Sequence, residues 1–164
     1  LAAEIFARIK HALPQSVAGR AGAWGPSVGL WESFRVHSYD AGDVYNPHRD
    51  NCCREGASAF FPACRSFRSL LLYLTDSTDG CGATRFHLTA AEGVDEGALV
   101  RDVVPRAGRV VVFDHALVHE SLVAGSCRKM IARSDVLFAP PTVTEVAGAP
   151  SSDSTVDAPS ASQE

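Results

Sequence analysis

In the stretch YNPHRDN, His48 and Asp50 stand two residues apart. Side chains of an extended strand alternate faces, so an imidazole and a carboxylate at this spacing point the same way and can converge on one cation. Short H-x-D strings also arise by chance, and the pair alone leaves its chemistry open. A facial site of two histidines and one carboxylate binds iron(II) and leaves coordination positions for reacting molecules. Such a site needs a second imidazole from a distant part of the chain. The chain has six histidines: His11, His37, His48, His87, His115 and His119. His11 lies in a helical stretch, His37 precedes the pair and His87 follows Phe86. His115 and His119 flank ALV after the apolar run VVVF. By position His119 leads as the third ligand, and His115 is the alternative.

Iron(II) needs a source of electrons to use oxygen. A co-substrate with two carboxyl groups would require a basic residue at its far end. Lys129 and Arg133 are four apart in the last strand-like segment and share a face with Ile131 between them. An inward-facing cation is costly unless an anion meets it. An incoming carboxylate would meet it; an outward, salt-bridged face is the competing reading.

The elements that must position these residues are short. LAAEIFARIKHAL has apolar residues at three- and four-residue intervals and predicts a helix ended by Pro14. AGRAGAWGPSVG reads as a glycine-rich loop. LWESFRVHSY predicts a strand with Phe34 and Val36 on one face and Arg35, His37 and Tyr39 on the other. VYNPHRD predicts a short strand broken at Pro47, and residues 51 to 68 an irregular connection. RSLLLYLTD is a continuous apolar run and predicts a buried strand. TRFHL, two strand ends around PRAG, and GSCRKMIARSDVLF supply the remaining strands. One helix followed by seven or eight strands predicts an all-β sandwich or barrel with a helix packed outside. From Ala139 to Glu164 the chain is rich in Ala, Ser and Pro and predicts a disordered tail.

Composition narrows the function classes. The chain has 164 residues, 46% hydrophobic and 21% charged, with a net charge of -4. That is the balance of a single folded domain. The arginines are scattered, so no nucleic-acid partner is predicted, and no apolar run is long enough for a membrane span. Five irregularly spaced cysteines argue against a disulfide framework and for a reducing intracellular compartment such as the cytoplasm. The chain begins at Leu1, which predicts a fragment or processed product and leaves an upstream signal open.

Four segments, in order, resemble the prolyl 4-hydroxylase-like branch of the 2-oxoglutarate- and iron(II)-dependent dioxygenases. FRVHSYDAGDVYNPHRD resembles its R-x-x-x-Y-x-x-G segment leading into Y-x-x-H-x-D. RSLLLYLTDSTDGCGATRF resembles its YLN strand followed by a G-G-x-T-x-F turn. VVPRAGRVVVFDHALVHES resembles its V-x-P-x-x-G strand pair ending in the distal histidine. GSCRKMIARSDVLF resembles its final strand, and Lys129 stands ten residues after His119, as the branch's basic residue does. The resemblance implies a double-stranded β-helix, or jelly-roll, core over residues 1–138. It implies iron(II) held by His48, Asp50 and His119. It implies Lys129 as the partner of the 5-carboxylate of 2-oxoglutarate, with Tyr39, Tyr73, Arg133 and Thr84 as further pocket residues. The implied reaction is hydroxylation of a C–H bond in a protein or small-molecule substrate, with a prolyl or other amino-acid residue in a protein as one target; a prolyl residue in a protein is the branch's best-known one. O2 is consumed, 2-oxoglutarate is decarboxylated to succinate, and ascorbate is left open as a further cofactor.

The chain departs from the branch in three places. Its glycine pair reads Gly80-Cys81-Gly82, Thr75 stands where asparagine is usual, and Gly125 lies four rather than two before Lys129. The last departure leaves both Lys129 and Arg133 open as the carboxylate anchor. Two readings compete with the oxygenase. One is a binding domain of the same fold without turnover. The other is a zinc hydrolase with Glu120 as base, although a strand would turn Glu120 away from the metal. Specificity is expected from the helix and the 52–68 loop, whose Phe60, Phe61 and Phe67 either line a mouth or close the core.

Overall fold

The computed structural model describes residues 1–19, 22–52, 55–77, 80–88, 99–126 and 128–141. The tail expected from residue 139 lies outside them beyond Pro141. One helix, α1 (Ala2–Ile9), continues into a 3-10 turn over Lys10–Ala12. The described strands are β1 (Val17–Gly19), β2 (Gly22–Trp24), β3 (Ser27–Leu30), β4 (Arg35–Tyr39), β5 (Tyr45–His48) and β6 (Arg65–Tyr73). They continue with β7 (Thr84–Leu88), β8 (Leu99–Val103), β9 (Val110–Asp114), β10 (His119–Ser121) and β11 (Lys129–Phe138).

Two antiparallel sheets make the jelly roll. The larger runs β3-β11-β6-β9, and β4 pairs with the first half of β11 on the same side as β3. The smaller runs β5-β10-β7-β8. Three of the sequence expectations need correction. The irregular connection expected over residues 51–68 ends at Cys64, because β6 begins at Arg65. The segment 30–39 is not one strand: β3 ends at Leu30 and β4 begins at Arg35, so each pairs with a different half of β11. The glycine-rich loop contains a hairpin, β1 with β2, closed by register pairs from Val17↔Trp24 to Gly19↔Gly22.

The larger sheet is covered on both faces, which is why β6 ends in the unbroken apolar run 70–73. Leu70, Val136 and Phe138 face outward beneath Ile5, Phe6 and Ile9 of α1. Leu71, Tyr73 and Ile131 face the smaller sheet, where they meet Phe86 and Phe113. Phe67 packs on Trp24 and Phe138, and Phe61 on Leu137 and Cys64, whereas Phe60 is exposed. The partners of β11 jump from Arg68 to Ser66, so Phe67 is an extra residue in β6. This bulge shifts the alternation and puts Ser66 and Ser69, three apart, on the inner face.

Leu70 is fully buried, whereas Val36 is 60% exposed. Leu70→Ala is expected to lower the unfolding free energy by about 2–5 kcal/mol. Val36→Ala should change it by less than about 0.5 kcal/mol. Denaturant titration checks the pair, and equal losses would mean that the helix-side core is misassigned.

Candidate metal centre and cavity

The metal-ligand candidates meet because β5 and β10 run antiparallel with His119 directly opposite His48. Their rings are 4.2 Å apart. Asp50 lies just past β5, where its backbone N–H donates to the His115 carbonyl at 3.1 Å. Arg49 Nε donates to the Ala116 carbonyl at 2.9 Å. These two bonds tie the H-x-D segment to the turn that leads into His119. One ligand atom from each of His48, Asp50 and His119 lies within 4.8 Å of the others.

Both imidazoles turn Nδ1 to a backbone carbonyl and Nε2 toward Asp50. His48 Nδ1 lies 2.9 Å from the Asn46 carbonyl, and His119 Nδ1 lies 3.0 Å from the Leu117 carbonyl. A carbonyl only accepts, so both protons sit on Nδ1 and both Nε2 lone pairs are left for a cation. Each Nε2 faces Asp50 at 3.9 and 3.8 Å, too far for a hydrogen bond. Burial pushes the His119 pKa down, which favours the neutral ring a metal requires. Phe86 and Phe113 pack against the His119 ring, and the Tyr45 ring meets His48 edge-on at 4.3 Å. Two neutral nitrogens and one carboxylate on fixed side chains fit a divalent iron site.

His115, the alternative third ligand, is placed behind Asp50. It is buried, and burial pushes its pKa down to about 4. Its Nδ1 is 2.9 Å from Ser69 Oγ and its Nε2 is 2.9 Å from Ser66 Oγ. Ser69 gives its one proton to Asp50 Oδ2. The neutral ring must therefore donate from Nδ1 to Ser69 and accept at Nε2. Ser66 also lies 3.3 Å from Asp135 Oδ2, and Arg133 Nη2 is 3.4 Å from Asp135 Oδ1. Arg133 then returns to Asp50, Nη2 to Oδ1 at 3.1 Å and Nε to Oδ2 at 3.2 Å. Ser66 spends its one proton on His115 Nε2, so its approach to Asp135 is a contact, and Asp50 is one member of a ring of six side chains in contact rather than of six hydrogen bonds.

A cavity of about 510 Å³ lies in front of the three ligand candidates. Its floor is the inner face of β4 and β11, with cross-strand pairs Tyr39↔Lys129, His37↔Ile131 and Arg35↔Arg133. Lys129 is 4% exposed, donates to Ser121 Oγ at 2.6 Å and lies 5.0 Å from the Tyr39 ring centroid. Among the described residues it has no carboxylate within ion-pair distance, and burial pushes its pKa down to about 8. Tyr39, Thr84, Lys129 and Arg133 all line the cavity. Tyr73 is set behind it, fully buried, donating to Thr84 Oγ1 at 2.7 Å. From the 52–68 loop, Cys52 and Ala57 reach the cavity. Glu120 is held by His87 at 2.9 Å. Thr75 Oγ1 accepts from the Met130 N–H at 2.9 Å.

Sequence reasoning missed Ser66, Ser69, Ser121 and Asp135. Their signal was polarity inside apolar strands, but their partners are set by register and by the bulge in β6. Cys52 and Cys64 carry free thiols; Cys53 and Cys127 lie outside the described residues. No described helix is long and apolar enough to cross a membrane.

No family model and no curated protein matches the chain. Solved structures do. The chain shares its fold with a non-heme monooxygenase. That protein, ThoJ in its nickel complex, is 19% identical over 82% of this chain and 49% of its own, with a TM-score of 0.51. A prolyl-4-hydroxylase of Pseudomonas putida is 27% identical over 65% of this chain and 52% of its own, with a TM-score of 0.45. The viral collagen prolyl hydroxylase of Paramecium Bursaria Chlorella virus-1, as its 2OG complex, is 20% identical over 82% of this chain and 66% of its own, with a TM-score of 0.43. The chain therefore spans about half the length of the monooxygenase and of the bacterial hydroxylase. The fold comparison rests on the monooxygenase.

Lys129 carries a pH signature. Its pKa is about 8 in the folded chain and about 10.4 in an unfolded one. Between these values the unfolded state binds more protons, so stability rises with pH. Relative to Lys129→Met, the wild type should gain stability on the order of 3 kcal/mol from pH 8 to 10.5. Denaturant titrations across this range check it, and a parallel pH dependence in the two proteins would show that the amine is not desolvated.

Proposed function

We propose that the chain is an iron(II)- and 2-oxoglutarate-dependent oxygenase that hydroxylates a C–H bond, with an amino-acid residue of a protein as the target class. The observation that carries this reading is the pairing of two features in one cavity. At one place two imidazole Nε2 atoms and a carboxylate converge. Further along the same floor Lys129 is buried with no carboxylate partner among the described residues. A metal accounts for the first, and the far carboxylate of a diacid accounts for the second.

When bound, iron(II) with 2-oxoglutarate and O2 supplies oxidative decarboxylation to succinate and carbon dioxide, coupled to insertion of one oxygen atom into a C–H bond. His48, Asp50 and His119 would hold the iron. Lys129 would pair with the 5-carboxylate, aided by the Ser121 and Thr84 hydroxyls, and that anion would favour the charged amine. Arg133 is engaged by Asp50 and Asp135, so its role in this reading is to hold Asp50 rather than the co-substrate. Tyr39, Leu71 and Ile131 would keep water from that end of the cavity. The hydrolase alternative lacks its base, because Glu120 is committed to His87.

Anaerobic titration with iron(II) and 2-oxoglutarate is the direct test, followed by the visible metal-to-ligand charge-transfer band. The wild type should show a band that needs both additions, and His119→Ala should show none. A folded wild type without the band would defeat the reading and leave a non-catalytic binding domain.

Lys129→Met should keep iron binding yet weaken 2-oxoglutarate roughly a hundredfold, since truncating a buried charge partner costs several kcal/mol. Affinity read from the same band checks this. An unchanged dissociation constant would return Arg133 to consideration as the anchor.

A further inference from the structure

We propose that the outer end of the cavity binds a carboxylate of the substrate, with the Arg35 guanidinium, presented on the Trp31 ring, as its receptor. The proposal rests on the oxygenase reading for the meaning of "substrate". Its own support is the arrangement of charge on the cavity floor.

Arg35 and Arg133 are direct cross-strand partners of β4 and β11, and both line the cavity. Like charges directly opposite each other destabilise a sheet pair. Arg133 is compensated by Asp50 at 3.1 Å and Asp135 at 3.4 Å. Arg35 has no ion pair among the described residues, and it is exposed. A carboxylate arriving from solution would remove this imbalance.

Trp31 gives Arg35 a fixed support. Its indole Nε1 donates to the Ala57 carbonyl at 3.1 Å, and its backbone N–H donates to the Asp135 carbonyl at 2.8 Å. Its own carbonyl accepts from Ser134 Oγ at 2.7 Å. The Arg35 Cζ lies 5.8 Å from the ring centroid. A guanidinium over an aromatic face keeps its in-plane N–H groups available, in a fork that matches a carboxylate. Because Arg35 neighbours Arg133, and Arg133 touches Asp50, a carboxylate held there stands close to the metal ligands. The same positive charge would disfavour basic substrates.

The probes are N-acetylated, C-amidated tripeptides containing Asp or Glu, each paired with its carboxamide counterpart containing Asn or Gln, titrated anaerobically into protein loaded with iron(II) and 2-oxoglutarate. Tryptophan fluorescence and the charge-transfer band are read together. At least one acid should bind roughly tenfold or more tightly than its amide, the difference one charge-assisted pair supplies. Arg35→Gln should erase that difference and keep the band. Equal binding of acid and amide in every pair overturns the proposal. So does loss of the band in Arg35→Gln, because Arg35 would then serve 2-oxoglutarate. If the wild type shows no band, the oxygenase reading fails by itself. The acid-to-amide comparison by fluorescence then still decides whether Arg35 binds carboxylates.

Discussion

The register of β10 is the constraint on which the site depends. The strand has three residues, and their alternation sends His119 and Ser121 inward and Glu120 to the other face. A slip of one residue would turn His119 away from His48 and remove Ser121 from Lys129. Contacts on both faces resist that slip. Inside, Phe86 and Phe113 enclose the His119 ring, and Lys129 reaches across from the larger sheet to Ser121. Outside, Glu120 is bonded to His87. The strand itself is too short to hold its register by backbone bonds alone.

Two cations on the inner face of β11 meet different fates, and the difference organises the cavity. Arg133 lies between two carboxylates and completes the ring that fixes Asp50. Each Asp50 oxygen already has a donor, so the carboxylate cannot swing. Lys129 has a hydroxyl and an aromatic face but no carboxylate. A buried amine without a counter-charge lowers stability, and sequences keep such groups where a ligand compensates for them. Arg35 repeats the pattern at the exposed end of the floor, where the cost of an unpaired charge is smaller.

Much of this was legible in the sequence because it rests on short-range periodicity. The helix, the apolar run of β6 and the shared face of Arg35, His37 and Tyr39 follow from spacing alone, and an all-β sandwich or barrel follows from the order of the strands, whereas the jelly roll was implied by the family resemblance. The H-x-D motif is more subtle. Its two side chains do converge, although Asp50 lies beyond the end of β5 and is placed by bonds to His115 and Arg49's hold on Ala116 rather than by strand alternation. Position favoured His119 over His115 without excluding the latter, because both follow β9 and the turn between them decides which one faces the cavity. Spacing could not separate Lys129 from Arg133, since both face inward. The partners of Arg133 lie 83 residues away at Asp50 and on the neighbouring strand at Ser69. A bulge inverts parity without leaving a mark in the hydrophobic pattern, so the inward face of Ser66 was hidden, whereas Ser69 keeps the alternation of Leu71 and Tyr73.

The turn before β7 makes room for the buried lysine. Gly82 has φ near +67°, and a Cβ there would sit 3.3 Å from Lys129 Cδ. Any other residue would be strained in its backbone and would press on the lysine stem. Two residues later Thr84 pairs with Ser121 across β7 and β10 and receives the Tyr73 hydroxyl. The turn therefore does two things within three residues. It leaves room for the amine to reach the smaller sheet, and it anchors the hydroxyl that closes the cavity behind it. The first depends on the missing side chain at Gly82, and the second on the Thr84 hydroxyl.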